Sequence, residues 1–221
     1  MIENVHGVVL RVEDSSEFDK RLTIYTLEYG KIRAKMTGVK KSGSKLKSLT
    51  IPFAESRLQI YLAGNKRAGL NLPGKVVSGE IMFDHSLLRN DWDRLVQSTQ
   101  ICEILDILTH PFYSNPKEYD LLIGVLRQME QTSNPALLSS RFTLMLLKIL
   151  GYSLIHHSLW KSFNDEERGL IRKLGEWDGL ALVFTGEETL SIEAMVRRYL
   201  SYYLPSPLKT EIFQQKVAVM R

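Results

Sequence analysis

The 221-residue chain has one cysteine, Cys102. A lone cysteine excludes an internal disulfide and any zinc site built from cysteines alone. It falls in an apolar helical pattern and reads as a small core residue. No apolar run approaches a membrane span, so no membrane partner is expected. The start, Met1-Ile-Glu-Asn-Val-His6, lacks the basic and apolar regions of a secretory signal, which leaves a cytoplasmic location as the expectation. Catalytic arrangements are missing too. His156 and His157 adjoin Ser158, but neighbours on an extended segment point apart and no acid or cysteine ligand lies close. Asp165-Glu166-Glu167 suits the charge preference of a helix N-terminus better than a metal cluster. Gly64-Asn-Lys-Arg-Ala-Gly69 lacks the Gly-Lys-Ser/Thr ending of a phosphate loop and fits a hairpin turn. The sequence therefore predicts no catalytic residues, no metal, no cofactor, and a protein that is not an enzyme.

Acid is scarce in one place above all. Residues 1–80 carry 14 Lys and Arg against 8 Asp and Glu, a net of +6, whereas residues 81–221 carry 15 against 17, a net of −2. Within the first part, Lys31 to Lys47 hold seven cations and no acid in 17 residues: Lys31, Arg33, Lys35, Lys40, Lys41, Lys45 and Lys47. Lys31, Arg33 and Lys35 alternate along a predicted strand and share a face. The remainder follow in a Gly/Ser-rich loop where Gly38 and Gly43 permit close approach to a phosphate backbone. Lys20 and Arg21 on the preceding strand extend the patch. A solvated, aggregation-blunting strand edge is the rival reading; seven unbalanced cations on adjoining strand and loop favour a polyanion. Tyr25, Tyr29 and Tyr61 are candidates for stacking on unpaired bases, or for ordinary sheet packing.

The apolar pattern has period two up to about residue 77 and period 3.6 afterwards. Strands are predicted at His6–Val12, Arg21–Leu27, Lys31–Thr37, about Ala54–Leu62 and Asn71 to about Val77, with Tyr29-Gly30 as a tight turn and Gly64 and Gly69 in the last connection. Five short strands without a long helix suggest a small Greek-key barrel such as an OB-fold. Thereafter Leu88, Trp92, Leu95, Thr99, Cys102 and Leu105 mark a first helix ended by Pro111. Further helices are predicted from Pro116, from Asn134-Pro135 to Gly151, from Asn164 with Glu167 in capping-box spacing to Gly175, over Ile192–Tyr203, and from Pro207. The expected fold is α+β: a barrel domain over 1–80 and a helical domain over 81–221. On the third of these helices Arg141 and Lys148 lie seven apart with apolar Leu144–Leu147 between them. That combination suits an acidic, hydrophobic peptide tail, or equally a solvent-facing boundary.

Taken in order, several segments resemble the bacterial RecO recombination-mediator family. They are Gly7-Val-Val-Leu-Arg-Val12, Phe18-Asp-Lys-Arg-Leu22, Glu28-Tyr-Gly-Lys-Ile-Arg33, Gly38-Val-Lys-Lys41, Ser140-Arg-Phe142, Leu147 to Gly151-Tyr152, Arg197-Arg-Tyr-Leu200 and Pro207-Leu-Lys209. The resemblance implies an N-terminal OB-fold, a helical C-terminal domain and a cytoplasmic, nucleoid-associated location. It implies binding to single- and double-stranded DNA, and annealing of complementary strands. The partners it implies are RecR, the C-terminal tail of single-stranded DNA-binding protein and, indirectly, RecA. Many such proteins insert a four-cysteine zinc ribbon after the Leu-Gly-Tyr stretch. The matching region here, 153–180, has no cysteine, so no zinc is expected and Trp160, Phe163 and Trp177 are candidates to pack its place. Two rivals stay open: a protein-only adaptor whose basic loop docks an acidic partner, and a metal-dependent nuclease.

Overall fold

Alternation of apolar and polar residues near the start of the chain produces a closed five-stranded barrel. The computed structural model describes residues 1–62, 74–180 and 183–219. Its strands are β1 (Ile2–Asp14), β2 (Lys20–Thr26), β3 (Gly30–Met36), β4 (Glu55–Tyr61) and β5 (Gly74–Phe83), in the order β1-β2-β3-β5-β4. β3 and β5 pair in parallel, and every other neighbour is antiparallel. This is the OB-fold arrangement. β1 serves both sides of the closure: its first half pairs with β4, and its second half pairs with β2 after an irregularity between Val9 and Arg11.

Leu22, Ile24, Ile32, Ala34, Met36, Leu58, Ile60 and Val76 point inward and are buried, as period two requires. The link from β3 to β4 supplies a plug: Val39 and Leu49, the latter on a 3-10 turn at Lys47–Thr50, complete the core. The fifth strand extends past the predicted end at Val77, because Ser78 to Phe83 continue the pairing with Gln59 to Glu55. Asn71, Gly64 and Gly69 lie outside the described residues.

By their contacts the residues divide into two units, Met1–Ser86 with Thr109–Ile123, and Leu87–Leu108 with Gly124–Arg221. The division is not the single cut at residue 80 that the change of periodicity suggests. A segment from beyond the first helices belongs with the barrel: the Phe112 N–H donates to the Lys31 carbonyl at 3.0 Å, and the buried Tyr25 hydroxyl donates to Glu118. Gly30 makes this approach possible. Its φ is +64°, and a Cβ there would sit 2.0 Å from the Tyr113 carbonyl oxygen.

The helices are α1 (Ser86–Asn90), α2 (Trp92–Leu108), α3 (Pro116–Met129), α4 (Pro135–Ile149), α5 (Asp165–Glu176), α6 (Gly186–Leu200) and α7 (Lys209–Val219). The stripe read from Leu88 to Leu105 is thus broken at Asp91. Trp92 and Thr99 are exposed, and Val96, Ile101 and Ile104 take the buried positions. Asn134 caps α4 through the Leu137 N–H, and Asn164 with Glu167 forms the capping box of α5. α6 starts earlier than Ile192, because Thr185 and Glu188 form a second capping box. Glu103 caps α7 across the helical unit, accepting from the Lys209 and Thr210 N–H groups.

In the 153–180 region Phe163 and Trp177 are buried, and Trp177 packs edge-on against Phe184 at 5.8 Å. Trp160 meets Phe163 at 6.2 Å and lies within 6 Å of the guanidinium groups of Arg168 and Arg172.

Candidate nucleic-acid interface

Pairing register turns the outward positions of five strands into a row. Glu13 on β1 faces Arg21 on β2, Arg21 faces Lys35 on β3, and Lys35 faces Lys75 on β5. Lys75 faces Tyr61 on β4, and Tyr61 faces Ile2 at the beginning of β1. Three cations on adjacent strands therefore run between a carboxylate at one end and an aromatic–aliphatic pair at the other. Arg33 stands one outward step along β3 from Lys35, opposite Thr23. Lys75 is absent from the cations that sequence reading singled out. Its neighbours in the chain are not basic, and only the short parallel pairing of β3 with β5 brings it beside Lys35.

The loop after β3 is tied to the β1–β2 turn. Asp19 accepts from the Gly38 N–H at 2.8 Å and pairs with Lys35 Nζ at 2.8 Å. The Lys40 N–H donates to the Phe18 carbonyl, and Lys40 Nζ lies 2.9 Å from Asp14. Lys41 Nζ sits 5.5 Å above the Phe18 ring. Gly38, at φ +68°, permits the turn that begins this path. The Lys35 ammonium and the Gly38 amide hold the Asp19 carboxyl down at about 2. Lys40 likewise holds Asp14 below its ordinary range.

These ties sort the nine predicted cations. Arg21, Arg33, Lys41, Lys45 and Lys47 are exposed and, among the described residues, have no carboxylate partner. Lys35 and Lys40 are exposed but paired. Lys20 shares the inward parity of Leu22 and Ile24; it is half-buried at the barrel's end beside Met36 and Asp14. Lys31 is the correction. Its side chain faces outward with Arg33 and Lys35, yet only 6% of it is exposed, because Pro111 and Phe112 lie along its backbone. Tyr25 is buried by the same segment, and Tyr29 is packed against the core, which leaves Tyr61 as the exposed member of the three tyrosines.

Farther along β4 and β5 the outer face is balanced. Arg57 pairs with Glu80 at 2.9 Å, and His6 of β1 with Glu28 at 2.9 Å. Among the described residues, the unbalanced charge of the barrel lies on β2, β3, the start of β5 and the loop.

On the helical unit, Arg141 is half-buried, and its buried Nε has no hydrogen-bond partner among the described residues. Burial pushes its guanidinium below the ordinary value, and Asp178 opposes that shift. Leu144 and Met145, half-buried, separate it from exposed Lys148 on the same face of α4. Leu146 and Leu147 belong to the buried face instead. Among the described residues, no group of three or more His, Cys, Asp and Glu is placed to hold a metal ion.

A closed five-stranded barrel with a cationic outer row, followed in the chain by helices, places the protein in the OB-fold class. Residues 1–71 match the family model for Recombination protein O N terminal, and residues 89–159 that for Recombination protein O C terminal. Similar proteins named DNA repair protein RecO come from Listeria monocytogenes serotype 4b, strain CLIP80459 (30% identical over 150 residues, 68% of this chain and 56% of that one), and from Halalkalibacterium halodurans (28% over 151 residues, 68% and 57%). A third is that of Exiguobacterium sibiricum (30% over 151 residues, 68% and 58%). The chain belongs to the RecO family. It spans a little over half the length of these relatives.

Proposed function

We propose that this chain is a DNA repair and homologous recombination mediator that works by binding rather than by bond chemistry. Its main phosphate contacts are Arg21, Arg33 and Lys75 on the barrel and Lys41, Lys45 and Lys47 on the loop, with Lys35 and Lys40, each held by a carboxylate, and Lys20 at the margin. The observation that carries this reading is the row of register-matched cations on the outer face, continued by a loop that Asp14 and Asp19 fasten in place. A row of cations neutralises phosphates whatever the sequence, so it takes single and double strands. Neutralising two strands at once lowers their repulsion and favours annealing. Arg141 and Lys148 receive the acidic C-terminal tail of single-stranded DNA-binding protein: a buried Nε with no hydrogen-bond partner among the described residues, next to half-buried Leu144 and Met145, matches a carboxylate carried on an apolar segment. With RecR as partner, the protein then helps RecA replace single-stranded DNA-binding protein.

The test is fluorescence anisotropy with a labelled single-stranded oligonucleotide over a series of salt concentrations. Binding that weakens log-linearly with salt supports the reading. Absence of binding at low salt, with salt-sensitive binding to an acidic protein instead, would establish the adaptor. Magnesium-dependent cleavage of the oligonucleotide would establish a nuclease.

A further inference from the structure

Tyr61 is a large aromatic side chain that folding leaves 46% exposed, on the outer face of a barrel whose inward positions are filled. Its cross-strand neighbours are Ile2, 57% exposed, on one side and Lys75 on the other. From Lys75 the row continues through Lys35 to Arg21. With about 4.8 Å between strands, Tyr61 lies roughly 14 Å from Arg21 across the sheet, a span of a few nucleotides. An aromatic ring at one end of a line of cations is the pairing that single-strand-binding grooves use, charge for the backbone and a ring for a base. A partner protein taking Ile2 and Tyr61 as a purely apolar patch would have to bury the Lys75 ammonium alongside them, at a desolvation cost that a phosphate removes.

We infer that Tyr61 is a base-stacking residue, with Ile2 as the apolar wall beside it, and that it gives the barrel a preference for unpaired over paired DNA. This rests on the cationic-face reading above. In a duplex the bases are stacked on one another inside the helix, and their faces are closed to the ring. A single strand laid along Arg21, Lys35 and Lys75 offers a base face at the position of Tyr61. The cations then set affinity and its salt dependence, and Tyr61 sets the difference between single and double strands.

The test compares Tyr61→Ala, Tyr61→Phe and the double reversal Arg21→Glu/Lys75→Glu in the full chain, each checked for unchanged thermal unfolding. Affinities for a single-stranded oligonucleotide and for its duplex are measured across salt. Tyr61→Ala is expected to weaken single-strand binding about tenfold, the scale of one stacked base, with duplex affinity and salt slope unchanged. Tyr61→Phe, which keeps the ring face, is expected to bind as the parent does. Equal loss of single- and double-strand affinity in Tyr61→Ala, or no loss of either, overturns the stacking role while the cationic face stands, provided the double reversal abolishes binding. If the double reversal is also without effect, or the parent binds neither DNA, the cationic-face reading falls and the stacking role with it.

Discussion

The structure separates cations that are free to meet a phosphate from those that are not, and counterion release converts that separation into a number. Arg21, Arg33, Lys41, Lys45, Lys47 and Lys75 have no carboxylate partner among the described residues. For a single strand each phosphate neutralised adds about 0.7 to the salt slope, so six contacts give a slope of about −4. If the contact is worth nothing at 1 M salt, each cation raises affinity roughly eightfold at 50 mM and roughly threefold at 200 mM. The variant Arg21→Ala/Lys75→Ala should therefore bind about 60-fold more weakly at 50 mM and about tenfold more weakly at 200 mM, with the slope reduced to about −3.

Two controls make this specific. Lys31→Ala removes a cation from the basic segment, but that residue is already buried, with Pro111 and Phe112 paired along its backbone; it should leave the slope unchanged. Asp19→Asn keeps an acceptor for the Gly38 N–H while releasing Lys35 from its carboxylate, and should steepen the slope by about 0.7. The assay is anisotropy with a fixed single-stranded oligonucleotide from 50 to 300 mM salt, and the slopes are read, not one affinity. A Lys31→Ala slope that falls as far as that of the double variant would refute the reasoning. So would a double variant whose slope does not move.

Other consequences follow from the same contacts. Gly30→Ala forces an L side chain into φ +64° and against the Tyr113 carbonyl; the backbone term alone costs about 1–2 kcal/mol, and chemical unfolding should show at least that loss, a smaller one meaning that the Thr109–Ile123 segment is loosely seated. Asp19 has its folded pKa depressed from 3.8 to about 2, by Lys35 first and the Gly38 amide second. The stability it contributes is complete above its unfolded value and lost as pH falls through about 2, so protection of the Gly38 amide in hydrogen exchange should persist at pH 4, decline below it, and lose that pH dependence in Asp19→Asn. Arg141→Ala should weaken binding of an acidic, apolar C-terminal peptide at least tenfold in calorimetry. Lys148→Ala should weaken it about twofold, because an exposed cation is worth less; equal effects from the two would count against a buried anchor.

Local signals in the sequence located most of the elements. Alternation placed β2 and β3 because Leu22, Ile24, Ile32, Ala34 and Met36 recur with period two on the inward face, even though Thr23, Tyr25 and Lys31 on the other face are buried as well. Asn134-Pro135 and Asn164 with Glu167 located two helix starts because a cap is a contact between residues three apart. The equivalent signal at Thr185 and Glu188 was present, and reading α6 from its apolar positions alone overlooked it. What lay beyond reading was long-range. The hydrogen bond from the Phe112 N–H to the Lys31 carbonyl, and that from Tyr25 to Glu118, join residues some eighty to ninety apart, and no periodicity announces them. They decide that Lys31 and Tyr25, both plausible by type, are withdrawn from the surface. The parallel pairing that sets Lys75 beside Lys35 is likewise invisible in one dimension.

The two ion pairs on the loop change what the cluster of lysines means. Counted along the chain, Lys31 to Lys47 are seven equivalent charges; in the fold, Lys31 is buried, and Lys35 and Lys40 are held by Asp19 and Asp14. Those two acids lie before the basic segment in sequence, so a charge window that starts at Lys31 omits them. Their carboxylates lower the field the segment presents, and in exchange they reduce the freedom of a Gly- and Ser-rich loop that otherwise has to be ordered at the moment of binding. On the proposed reading, the loop cations Lys41, Lys45 and Lys47 would meet a strand from a backbone already turned by the Gly38 and Lys40 hydrogen bonds. The weaker field and the smaller ordering cost act in opposite directions on affinity, but only the field depends on salt. Breaking the Asp19 tie with Asp19→Ala, which frees Lys35 and also the Gly38 N–H, should steepen the salt slope as Asp19→Asn does, yet yield less affinity at every salt concentration. The difference between those two variants measures how much of the binding free energy comes from a loop arranged in advance.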